Sequence, residues 1–371
     1  MLKTPLFIAH EIYRDSRYGR THPLSIPRVS ACMDLVRALG WLPESQFVES
    51  PQAPPEALAR FHDPAYVAAL QAAEVAQAVP EAIRERHNIG VNGNPIYPEM
   101  YRRPATSCGG TLKAVELVRQ GGLVHHPAGG THHGRADRAS GFCYLNDPVL
   151  GILALLDAGI GPVAYVDLDA HHGDGVQDAF HGDQRVLVLS IHERDRWPRT
   201  GPETDRGGGW ARNLPMPTEL NDSEHAWVMD NAVVPLVTAW RPQALVVQCG
   251  ADGLADDPQS RMMLSNGALW RAVANLIPLA PRVILLGGGG YNPWSVARCW
   301  AGIWGTATGQ TFPQDLPFEA EALLRGFHWN HRRGRTPPDH WFTTLVDPPN
   351  PGPVRDEVKQ VVGRVMEHSK T

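Results

Sequence analysis

Residues 163–174 read VAYVDLDAHHGD, an apolar run that stops abruptly in ionisable groups. Val163, Tyr165 and Val166 are residue types that suit a pleated strand. Asp167 and Asp169 are two apart and share one face of such a strand, and His171 continues the series. Carboxylates and an imidazole converging at a strand end repel one another and lose hydration, and a bound cation relieves both costs. A second segment, LVVQCGADG at 245–253, repeats the pattern by delivering Asp252 after another buried run. Asp169, His171 and Asp252 together form a three-ligand set with open positions for water and substrate, which is the form of a catalytic zinc site.

Similar runs recur at Pro5–Ala9, Leu123–His126, Val186–Ile191, Ala244–Cys249 and Arg282–Gly287, with the first extending to Val163–Asp169. Most are continuous rather than alternating, as in strands buried on both faces of a parallel sheet. Helical patterns follow several of them, at Val149–Ala158, Ser223–Trp240, Gly267–Ala280 and Pro293–Thr306. The first 120 residues are more helical, with Pro55–Val79 broken at Pro64, and with Thr111–Arg119. Val354, Val358, Val361, Val362 and Val365 mark a surface helix over Val354–Glu367. This alternation predicts a single α/β domain over 1–371, with its core at about 5–345 and a mostly parallel sheet covered by helices on both faces.

In such sheets the chemistry gathers where strands end. HHPAGGTHHG, 125–134, holds four histidines in nine residues. They read either as a metal tract or, for His132 and His133, as acid–base groups beside the metal. In the second reading each needs a carboxylate behind it to fix its tautomer, and Asp167 and Asp174 are available. LLGGGGY, 285–291, lets the backbone pack closely and delivers Tyr291 at the edge. It is not a dinucleotide loop, because G-x-G-x-x-G from Gly287 meets Asn292 in place of the last glycine. His192-Glu193 does not start an H-E-x-x-H motif, because Arg196 stands at the second histidine, and no G-x-S-x-G elbow exists.

The composition narrows the classes. In 371 residues, 34 Lys and Arg against 39 Asp and Glu give a net charge of −5, which argues against a nucleic-acid binder. No apolar run approaches the roughly 18 residues of a membrane span, and the opening apolar stretch, Leu6–Ala9, is too short for a secretory segment. Five dispersed cysteines without C-x-x-C read as reduced thiols of a cytoplasmic protein. The 36 glycines and 33 prolines punctuate apolar segments instead of clustering, so they belong to shaped loops. Nothing in the pattern sets an oligomeric state.

Taken together, the strings HPLSIPR (22–28), PAGGTHHG (127–134), GFCYLND (141–147), YVDLDAHHGDGVQDAF (165–180), CGAD (249–252) and GGGGY (287–291) resemble the zinc-dependent histone deacetylase family of the arginase–deacetylase fold. The nearest resemblance is to bacterial class I-like and acetoin-utilisation deacetylases, over roughly residues 5–345. The resemblance implies a zinc or ferrous ion on Asp169, His171 and Asp252. It makes His132 and His133 a catalytic tandem backed by Asp167 and Asp174, and Tyr291 the donor to the developing oxyanion. It places Gly141 and Phe142 on one wall of a narrow acyl-lysine tunnel and Trp197 opposite them. Arg28 would line an inner acetate-release cavity, and Asp167, Asp169, His171 and Ser190 would hold a structural potassium ion. A second metal, as in arginases, needs ligands where Gly173 and Leu254 stand.

This chain also departs from that pattern. Gly93, in Asn92-Gly93-Asn94-Pro95, stands where many relatives carry an acidic residue at the tunnel rim. Gln259 replaces an apolar side chain, or the Glu of polyamine deacetylases, and Gly134 stands where Ala is common. The expected activity is hydrolysis of the acetyl amide of lysine-like amines. Deacylation of small molecules such as acetylpolyamines ranks second, and an inactive acyl-ligand binder third.

Overall fold

The computed structural model describes residues 4–16, 18, 19 and 21–367. Eight strands build one sheet: β1 Leu6–Ala9, β2 Phe47–Glu49, β3 Gly122–His126, β4 Val163–Asp167, β5 Val186–Glu193, β6 Ala211–Met216, β7 Ala244–Gln248 and β8 Arg282–Leu286. Their order is β2-β1-β3-β8-β7-β4-β5-β6, and every pairing is parallel. The sheet is therefore wholly parallel, where the sequence predicted a mostly parallel one. Two of its strands, β2 and β6, lay outside the expected set. Both form the sheet's edges; β2 is only three residues long, and β6, Ala211-Arg-Asn-Leu-Pro-Met216, has no β-branched residue and carries polar ones and a proline.

Alternation along the strands sorts their side chains onto two faces. Ala164, Val166, Leu187, Leu189, Leu245, Val247, Val283 and Leu285 enter one core. Their neighbours Val163, Tyr165, Val186, Val188, Ala244, Val246, Ile284 and Leu286 enter the other. Helices Val29–Ala38, Asn266–Leu276 and Pro293–Thr308 cover the first face, while Arg102–Val118 and Asp147–Asp157 cover the second. Asn146 and Asn292 cap two of these helices by accepting from Val149 N and Trp294 N. A third apolar cluster, including Tyr18, Leu24, Tyr66, Tyr144 and Tyr291, joins the N-terminal helical region to the loops at one end of the sheet.

The expected helix over 223–240 is regular only at its ends, with a π-turn at Met229–Val233 between Asp222–Val228 and Val234–Trp240. The C-terminal helix runs Asp356–Glu367, and its four buried valines belong to the first core. The main core thus extends past residue 345. Among the described residues, no helix is long and apolar enough to cross a membrane.

The connectivity positions the site. From β3 the chain moves to β4, works outward through β5 to β6, then returns to lay β7 and β8 in the gap. Four adjacent strands, β3, β8, β7 and β4, therefore end side by side, and their loops meet over the middle of the sheet. This reversal of strand order is where open α/β sheets form a crevice.

Candidate active site

Asp169 and His171 lie in the loop leaving β4, and Asp252 lies in the loop leaving β7. Their ligand atoms fall within 4.8 Å of one another, and all three side chains are buried. His171 Nδ1 sits 2.8 Å from Asp252 Oδ2 and 3.2 Å from Asp169 Oδ1. Backbone amides hold the carboxylates in place. Gly289 N and His171 N donate to Asp169 at 2.6 and 2.9 Å, and Ala170 N donates to Asp252 at 2.9 Å. Gly289 has to be glycine, because a Cβ there would overlap the Asp252 carboxylate.

The electrostatics calls for a cation at this point. Burial opposes charge on His171, yet Asp252 and Asp169 overcome it and push its pKa up to about 10. A divalent ion satisfies the same three atoms without that proton, using the ligand types of an open three-coordinate site. The donor set therefore fits one metal. Among the described residues no other cluster of three such groups was found.

His132 and His133 approach from the loop after β3. His132 Nδ1 pairs with Asp167 Oδ2 at 2.7 Å, and His133 Nδ1 pairs with Asp174 Oδ1 at 2.7 Å. The two dyads titrate in opposite directions. For His132, burial disfavours the proton, but Asp167 and Asp169 raise its pKa to about 9. For His133, burial and the neighbouring His132 charge lower it to about 3, against the pull of Asp174. Between the two, positive charge is favoured on His132 and disfavoured on His133. The reading of 125–133 as one metal tract is overturned. His125 and His126 alternate to opposite faces of β3, where they face Leu285 O at 3.2 Å and Ile8 O at 3.1 Å.

Tyr291 is buried beside the three ligands. Burial, with Asp252 and Asp169 nearby, holds its pKa well above 10, so it remains a phenol that can donate. A cavity of about 350 Å³ is lined by Gly141, Phe142, Trp197, His133, His171 and Tyr291. The Trp197 ring lies 4.7 Å from that of His133 and is 46% exposed. Gly141 has φ +53°, and a Cβ there would overlap both Trp197 and His133. Gln259, Asn92, Gly93 and Asn94 line the same opening. Arg28 lines a smaller inner cavity and donates to Gly288 O. Ser190 is paired in register with Asp167, and its hydroxyl lies 3.0 Å from His192 Nδ1.

Residues 22–307 match the histone deacetylase domain model. The chain belongs to the histone deacetylase family. Two solved structures described as histone deacetylase homologues superpose with a TM-score of 0.93, covering 98% of this chain and all of theirs. One, from Aquifex aeolicus, is 35% identical; the other, complexed with SAHA, is 34% identical. Histone deacetylase 8 of Xenopus tropicalis is 34% identical over 301 residues, 78% of this chain and 80% of the relative. Histone deacetylase 1 of rice (Oryza sativa subsp. japonica) is 35% identical over 308 residues, 81% of this chain. The chain spans 59% of that rice relative's length and 61% of a Caenorhabditis elegans relative's.

Three supporting residues of this family member escaped sequence reasoning. Tyr165 donates to Asp167 at 2.8 Å, and its place two residues earlier on the same strand face was a readable signal. Arg135 pairs with Asp174, and Asp257 accepts from Tyr291 N at 2.6 Å. Neither contact leaves a local trace in the sequence, because each joins loops distant along the chain.

Proposed function

We propose that this family member hydrolyses the acetyl amide of lysine-like amines, releasing acetate and the free amine. The observation that carries this reading is His133, paired with Asp174, beside a buried Asp169–His171–Asp252 set at the foot of an open cavity. Asp169, His171 and Asp252 would hold zinc or ferrous iron, which when bound acidifies water and polarises the amide carbonyl. His133 takes the water's proton and passes it to the departing amine. Charged His132, with Asp167, supports the developing negative charge. Tyr291 donates to the carbonyl oxygen, where negative charge grows. Gly141, Phe142 and Trp197 confine the aliphatic stem of the substrate and exclude water.

A structural potassium ion at Asp167, Asp169, His171 and Ser190 would tie the ends of β4 and β5 together, where Asp167 and Ser190 are register partners. Five free, buried cysteines favour a reducing, cytoplasmic setting. Deacylation of acetylpolyamines ranks second, because no carboxylate lines the outer cavity to attract a polycation. A panel of acetyl-lysine peptides, acetylpolyamines and small acetamides tests the reading. Acetyl-lysine peptides should show the highest kcat/KM, and polyamines turning over faster would reverse the ranking.

A further inference from the structure

Beside Asp169, His171 and Tyr291 lies an inner cavity with about 70 Å³ open to water-sized groups. Two guanidinium groups line it. Arg28 is the one the family resemblance accounts for. Arg103, from helix Arg102–Val118, has no such assignment, and it is only 9% exposed. Among the described residues neither has an acidic partner within 4 Å. Arg103 donates to Ser16 O at 3.2 Å and lies over the rings of Tyr13 and Tyr18, at 5.6 and 5.0 Å. Arg28 donates to Gly288 O and lies 5.0 Å over Trp300.

The wall also carries donors without acceptors. Arg28 Nε and Tyr13 Oη are buried and unpartnered. Burial keeps Tyr13 a protonated phenol, and burial together with the charge of Arg103 pushes Arg28 below the ordinary guanidinium range. Apart from the ligand Asp169, no carboxylate lines the cavity. The nearby Asp147 is engaged elsewhere, accepting from Thr111, Gly130 and Thr131. Enclosed charge without a counter-ion is costly, and so are buried donors without acceptors. One acetate neutralises only one of the two cations.

We infer that this inner cavity accepts acyl groups ending in a carboxylate, such as succinyl, and that Arg103 is the residue that selects them. The inference rests on the amide-hydrolysing reading above. With the reacting carbonyl beside Tyr291, a short acyl chain runs inward and sets its terminal carboxylate among Arg28, Arg103 and Tyr13. The reaction is the same hydrolysis. The water oxygen bonds to the acyl carbon, the C–N bond breaks, and both water protons end on the amine. The products are a dicarboxylate and an ammonium group.

The test compares peptides carrying acetyl-, succinyl- and succinamyl-lysine, the last a neutral isostere of the second. The wild-type chain should favour succinyl over succinamyl by roughly tenfold or more in kcat/KM, the scale of a charged hydrogen bond. Arg103→Met should collapse that ratio towards one, and Arg103→Lys should keep most of it. Calorimetry with succinate supplies a readout independent of turnover, and its affinity should fall about tenfold in Arg103→Met. Acetyl hydrolysis with a ratio near one, or with a ratio that Arg103→Met leaves intact, overturns the inference alone. Loss of acetyl hydrolysis in the wild type overturns the amidohydrolase reading instead. In that case the succinate affinities still decide whether Arg103 builds a carboxylate site.

Discussion

Two adjacent histidines with the same side chain are set apart by what surrounds them. His132 has Asp167 and Asp169 within 4 Å, which push its pKa up to about 9, whereas His133 has one carboxylate, shared with Arg135, and burial and His132 push its pKa down to about 3. His133→Ala should therefore abolish turnover while leaving metal content unchanged, and His171→Ala should lose both. His132→Asn should keep more activity than His133→Ala at neutral pH. If His132→Asn were the more damaging change with metal bound in both variants, their roles would be exchanged. In the proposed mechanism Tyr291 acts on charge that exists only near the transition state. Tyr291→Phe should lower kcat by about 100- to 1,000-fold with little change in KM. An unchanged kcat would remove Tyr291 from the mechanism.

Among the elements, the central strands were legible because burial on both faces leaves an uninterrupted apolar run, as in Val163–Val166 and Ala244–Val247. The edge strands were not, since Phe47–Glu49 is short and Ala211–Met216 carries Arg212, Asn213 and Pro215. Ligands at strand ends were legible by the same logic, because an apolar run that stops in Asp or His announces itself. Arg103, Arg135 and Asp257 were not, because their meaning comes from elements the sequence does not order in space. The C-terminal helix shows a similar limit. Its valine stripe was readable, but its tether is a tertiary contact, Arg355 to Glu224 at 2.6 and 2.8 Å. Burial disfavours charge on Glu224, yet Arg355 and two backbone amides hold its pKa below the usual carboxylate value. A lowered pKa adds stability above the unfolded value and loses it as pH falls through the folded one. Glu224→Gln should cost about 1–3 kcal/mol near neutrality, and its Tm deficit should shrink below roughly pH 4.5. A deficit independent of pH would show that the pair contributes packing, not charge.

At the scale of the whole molecule, one topological choice builds the site. Laying β7 and β8 last, between β3 and β4, brings four loops from distant parts of the chain over one point. Asp169, His171 and Asp252 then come from two strand ends, His132 and His133 from a third and Tyr291 from a fourth. In this site buried Asp169 and Asp252 face one another across His171, an arrangement that fits a cation. The metal should therefore matter to stability as well as chemistry, by binding only the folded chain. The most direct measurement titrates chelated protein with zinc while following acetyl-lysine hydrolysis and bound metal together. The account predicts no activity without metal, recovery that saturates at one equivalent per chain, and neither binding nor recovery in Asp252→Ala. Full hydrolysis by the metal-free chain, or undiminished metal occupancy in Asp252→Ala, would contradict it.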